Sequence, residues 1–157
     1  MRALIRSFKY ALRGISYCLV NERNMRIHLT VSVFLLALSP FFHLTKAEYA
    51  ILILAVALVT TCEAINTSIE TIHDLISPSY NQLARIAKDA AAAAVLLSSV
   101  FAAVVGVIIL FRPASFLEMW QFFTGSPVYA VCLILALALA GVFVFAGPRG
   151  IKRFFRK

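Results

Sequence analysis

Two stretches of this chain, Ala90 to Phe111 and Val128 to Ala146, each run for about twenty residues without a charge. A helix rising about 1.5 Å per residue crosses the roughly 30 Å hydrocarbon core of a bilayer in that length. A soluble domain of 157 residues, 62% of them hydrophobic, has no interior large enough to hide them. In lipid the backbone must satisfy its own hydrogen bonds, so each stretch is a helix. Two further segments fit the same reading. Leu29 to Leu44 is short and stops near Pro40, and a second begins near Glu48 and continues past Glu63.

Charge then sets the orientation. With the N-terminus inside, thirteen of the fifteen Lys and Arg residues face the cytoplasm, and only Lys46 and Arg112 lie outside. Both termini are therefore expected inside. The first residues do not read as a cleavable signal, because Arg2, Arg6, Lys9 and Arg13 interrupt any apolar core there. Leu4, Phe8, Ala11, Leu12, Ile15 and Leu19 instead recur at helical spacing beside that basic stripe, as in a helix lying in the headgroup plane. The basic stripe suits anionic lipid first and a nucleotide phosphate second. Phe116, Trp120, Phe122 and Phe123, in an outer loop, read as an interfacial aromatic belt. Cys18, Cys62 and Cys132 fit no metal or disulfide framework and read as small buried hydrophobes.

The second span ends in an unusual way. Glu63, Asn66, Glu70 and Asp74 follow at i, i+3, i+7 and i+11, one narrow stripe on a helix turning about 100° per residue. A carboxylate at the edge of hydrocarbon is costly and points to function. Pro78, in the loop Ser77 to Tyr80, should end the helix, and the next one returns Arg85, Lys88 and Asp89 to the same depth as Asn21, Glu22 and Asn24. The acids Glu22, Glu63, Glu70, Asp74 and Asp89 thus share one layer. A hard cation such as Mg²⁺ takes one or two carboxylates and shares its other positions with water and phosphate. Phosphoryl transfer needs such a cation and a base near the attacking hydroxyl. Glu63, the deepest and least hydrated, suits the base, since desolvation makes a carboxylate a better proton acceptor. Glu22 and Glu70 suit the metal, and Lys88 suits phosphate. Asp74 and Asp89 fit a structural pairing equally well, and His28, His43 and His73 read as interfacial. There is no Gly-x-x-x-x-Gly-Lys and no Gly-x-Gly, so ATP would bind by another architecture.

The order Glu63-x-x-Asn66-x-x-x-Glu70-x-x-x-Asp74, followed by Lys88-Asp89, resembles the signature of the small bacterial integral-membrane lipid kinases, the diacylglycerol kinase and undecaprenol kinase family. Asn21 to His28 and the surface positions Phe8, Ala11 and Gly14 also fit, and the likeness covers about residues 5 to 111. The resemblance implies ATP-dependent phosphorylation of a lipid alcohol with Mg²⁺ in the bacterial cytoplasmic membrane. It implies a homotrimer with sites shared between subunits and no nucleic-acid partner. It assigns Glu63 as general base, Glu22 and Glu70 as metal ligands, and Asn66, Lys88, Asp89 and Tyr10 to cofactor binding. Glu22-Arg23-Asn24-x-x-Ile27-His28 looks more like the undecaprenol-type members than the diacylglycerol-type ones. Two departures stand out. Ala90 to Ala94 lacks the Gly that members carry after Lys-Asp, and the chain adds a fourth span.

The expected class is an all-α membrane protein: an N-terminal amphipathic surface helix, a three-helix transmembrane kinase core and one additional C-terminal transmembrane helix. Residues 1–28 form the interfacial helix and the lead into the first span, 29–111 the core, 112–127 an external loop, and 128–157 the fourth helix and a basic cytoplasmic tail. The competing classes are an ion or proton pathway and a non-catalytic assembly protein. A pathway would place polar groups through the whole membrane, and the outer halves of these spans are almost bare. An assembly role would not need acids aligned at one depth.

Overall fold

A computed structural model describes residues 2–76 and 82–154. The turn expected at Ser77 to Tyr80 and the end of the basic tail, Arg156 and Lys157, lie outside the described residues. The elements are α1 (Arg2–Asn21), α2 (Arg23–Leu38), a 3-10 turn (Ser39–Phe42), α3 (Lys46–Ile76), α4 (Gln82–Leu110), α5 (Pro113–Thr124) and α6 (Pro127–Phe154). No strand occurs among the described residues. Four stretches are long and apolar enough to cross a membrane: Arg23–Phe42, Lys46–Leu75, Gln82–Leu110 and Pro127–Ile151. The protein is an all-α membrane protein.

α1 stops at Asn21, and Glu22 alone, in extended backbone (φ −100°, ψ 120°), separates it from α2. Only Cys18 of α1 is buried, while Leu4, Ile5, Phe8 and Leu12 stand exposed. That is how a helix looks when its apolar face belongs to lipid rather than to its own chain.

α3 opens with a reciprocal cap. The Thr45 backbone N–H donates to Glu48 Oε2 at 2.8 Å, and the Glu48 N–H donates to Thr45 Oγ1 at 3.3 Å. From there α3 pairs most extensively with α4 and also packs on α2. Leu52 and Val59 of α3 and Ala91, Val95 and Ile109 of α4 are buried in this unit. The small Ala91 lets the helices approach closely, as membrane helix pairs require.

The segment expected as an external loop is largely the helix α5. Pro113 sits at its first position, where the missing N–H costs nothing. Its aromatics also do more than line an interface. Phe122 stacks on Tyr129 at 4.6 Å and meets Phe41 edge-on at 5.2 Å, and Phe116 meets Phe42 edge-on at 5.2 Å. Trp120 alone among them is strongly exposed. The fourth span is interrupted near its inner end. Gly147 has φ 63° and ψ 174°, and Pro148 follows it within α6. α6 packs against α2, α5 and α1.

Candidate active site

The α3–α4 pairing turns the polar stripe inward. Glu63 is 1% exposed, Asn66 8%, and Thr67, one turn after Glu63, is also buried. Thr67 Oγ1 donates to the Glu63 carbonyl at 2.9 Å, so it adds no donor to the stripe. Among the described residues, Glu63 Oε2 and Asn66 Oδ1 are buried without a hydrogen-bond partner. Orphaned buried acceptors of this kind are costly, and a native site that keeps two side by side is shaped for a donor or a cation. Glu70, half-buried and about two turns beyond Glu63, faces Lys88 across α4, with Nζ at 3.7 Å from Oε1.

Glu22 completes the group from the α1–α2 corner. It occupies the N-cap of α2, yet its side chain makes no capping bond. Burial and then the Glu70 charge push its carboxyl above the usual carboxylate range, against the opposing pull of Arg26 and Lys88. Glu22 and Glu70 thus lie near each other, with Lys88 and Arg26 as the cations beside them.

The donor set is all oxygen, which suits a hard cation. Among the described residues, no three His, Cys, Asp or Glu side chains close around a single point. The arrangement is an open pair of carboxylates, as Mg²⁺ uses when phosphate and water supply the rest. The residues present thus fit that ion.

The structure brings together Glu22, Glu63, Asn66, Glu70 and Lys88. It does not bring Asp89 or Tyr10 to them. Asp89 lies on the exposed face of α4, 4.0 Å from Arg85. Tyr10 stands exposed on α1 beside Arg13, whose guanidinium carbon is 5.9 Å from the ring centre. Asp74 pairs with His73 at 3.2 Å on an exposed surface, and His43 with Glu118 at 3.1 Å.

Two features were not foreseen. Arg26, which counts in the sequence only as one more inner charge, is buried. A cavity of about 870 Å³ opens between α1, α2 and α3, and its α3 lining runs from Val56 to Ile72, alongside Glu63 and Glu70. Its α3 wall looks polar in the sequence, but Thr60, Thr67, Ser68 and Thr71 each donate to a carbonyl one turn back, at 2.8–2.9 Å. Their hydroxyls are spent, so the wall presents mainly methyl and methylene groups. Alternation of Thr and Ser at helical spacing was the available signal.

Residues 9–110 match the family model of prokaryotic diacylglycerol kinase. A diacylglycerol kinase of Synechocystis sp. is 41% identical over 111 residues, covering 70% of this chain and 63% of the relative, so the match spans less than two thirds of that protein. An undecaprenol kinase of Bacillus subtilis is 33% identical over 109 residues, covering 69% of this chain and 89% of the relative. A diacylglycerol kinase of Haemophilus influenzae is 34% identical over 95 residues, covering 60% and 80%. The family segment closes with α4, and α5 and α6 lie beyond it.

Proposed function

Since the chain belongs to the prokaryotic diacylglycerol kinase family, we propose that it phosphorylates a membrane lipid alcohol from ATP, with undecaprenol as the acceptor. The observation that carries this reading is Glu63, buried on α3 with an oxygen that has no partner among the described residues, one turn from Asn66 in the same state. In the proposed reaction the lipid hydroxyl oxygen forms the new bond to the γ-phosphorus. The bond from that phosphorus to the bridging oxygen breaks, ADP leaves, and Glu63 takes the hydroxyl proton. Glu22 and Glu70 would hold Mg²⁺, which neutralises phosphate charge when bound. Lys88 would face phosphate oxygens. Asn66, Asp89 and Tyr10 would complete the nucleotide side. The apolar cavity beside α3 suits the lipid chain. Both termini would face the cytoplasm in a bacterial inner membrane, and the working form would be a homotrimer with shared sites.

Diacylglycerol is the second reading, favoured by the 41% identity to a relative of that name. The test offers undecaprenol and diacylglycerol separately to the purified protein with γ-labelled ATP and Mg²⁺. Label in undecaprenol is expected. Label mainly in diacylglycerol keeps the chemistry and replaces the acceptor. No label in any lipid alcohol, with folded protein, refutes the kinase reading.

A further inference from the structure

Arg26 is 7% exposed and, among the described residues, has no ion pair. Its guanidinium hydrogen bonds end on carbonyls, while its charge also acts on the nearby Glu22 carboxyl. Nη1 donates to Leu19 O at 3.1 Å and Val20 O at 3.3 Å, in the last turn of α1. Nε donates to Val144 O at 3.1 Å, in α6. That last acceptor is available for a covalent reason. Val144 is four residues before Pro148, and proline has no N–H to give it. Gly147, between them, adopts a backbone conformation that side-chain-bearing residues avoid. A Cβ there would lie 3.1 Å from Arg26 Cζ and 3.3 Å from both terminal nitrogens. The break in α6 is thus cut to the guanidinium. One cation closes the negative ends of two helices.

Arg26 also lies one turn after Glu22, and its backbone N–H reaches the Glu22 carbonyl at 3.4 Å. α1 has little else to fix it, since Cys18 is its only buried residue. The corner carrying Glu22 is therefore held largely by what holds Arg26.

We infer that Arg26 is a positioning residue through which α6, an element outside the family segment, sets the Glu22 side of the cation site. The inference rests on the kinase reading only in taking Glu22 as a metal ligand. A fourth span of this kind acts as a brace on the catalytic layer and not merely as an extra anchor.

Full-length parent, Pro148→Ala, Arg26→Lys and the double variant would be compared in detergent. Two readouts serve: Mn²⁺ binding to the nucleotide-free protein by electron paramagnetic resonance, and the Mg²⁺ concentration for half-maximal lipid phosphorylation. Pro148→Ala supplies an N–H that competes with Arg26 Nε for the Val144 carbonyl and removes no charge, so it weakens the brace while the guanidinium keeps its Leu19 and Val20 acceptors. Each single variant is expected to weaken cation binding by roughly tenfold, the usual size for a residue that orients a ligand. The KM for lipid should stay near the parent value. The double variant should be no worse than Arg26→Lys alone, because both break one connection. Unchanged Mn²⁺ binding in Pro148→Ala, or effects that multiply in the double variant, overturns the inference. A folded parent that binds no Mn²⁺ and labels no lipid overturns the kinase reading as well, which separates the two failures.

Discussion

Glu63 and Glu22 are one residue type in two different surroundings. Glu63 is held among packed helices with an oxygen that no described residue satisfies. Glu63→Gln keeps the shape and removes the proton acceptor, so turnover should fall by roughly 10²–10⁴-fold while the protein elutes and melts as folded. Near-normal activity in that variant would remove Glu63 from the reaction. Glu22 is half-buried, and its carboxyl is held above the usual range, mainly by burial and then by Glu70. The folded protein therefore binds the Glu22 proton more tightly than the unfolded chain does. Ionising Glu22 costs stability, beginning at the ordinary carboxylate value and in full above the raised one. Without divalent cation, Glu22→Gln should melt higher than the parent at neutral pH, on the order of 1–2 °C, and together with it in acid below the carboxylate range. Added Mg²⁺ should raise the parent's midpoint and not the variant's. Equal parent and variant midpoints at neutral pH would show that the Glu22 charge carries no folding cost.

Among the elements, the polar stripe of α3 is legible in the sequence because helical spacing fixes which side chains share a face. What α3 meets is not. Glu63 and Asp74 sit on one stripe, yet one is buried and the other exposed, because α4 covers only part of that face. α5 is missed for a different reason. Pro113 and Pro127 bracket it and read as breaks, while each in fact occupies the first position of a helix. The outer end of α3 is similar. Thr45 and Glu48 form a capping box legible in the order Thr-x-x-Glu, but the Arg112 that joins them arrives from the far end of α4. Arg112 donates to Glu48 and also to the Phe42 and His43 carbonyls, closing the 3-10 turn onto α3. Thr45→Ala should cost about 1 kcal/mol, the usual value of a cap. Glu48→Ala should cost more than Thr45→Ala, because it removes both the cap and the carboxylate that Arg112 meets. Unfolding in mixed micelles checks the order. A Glu48 variant no worse than Thr45→Ala would mean that Arg112 finds water instead.

One whole chain brings some of the proposed site residues together and leaves others facing outward. Lys88 reaches Glu70 within the chain, while Asp89, next to it in sequence, points about 100° away around α4 and meets only Arg85. Two adjacent side chains on a helix point about 100° apart, which leaves the second free to meet a neighbouring chain. Tyr10, exposed on α1, has the same relation to its own chain's acids. This division is what a ring of identical subunits with sites between them would produce, since each subunit then offers two different faces. It gives the proposed trimer a test that does not depend on measuring mass. Glu63→Gln and Asp89→Asn chains, each nearly inactive alone, would be mixed in equal amounts and reassembled. If each site joins Glu63 of one chain to Asp89 of the next, roughly a quarter of the sites in random rings carry both intact residues, and activity returns to about that fraction of the parent's. If both residues act within one chain, no mixed assembly holds a complete site and activity stays at the level of the separate variants. Recovery would also explain why Asp89 stands exposed: its position is buried only when the neighbour is present.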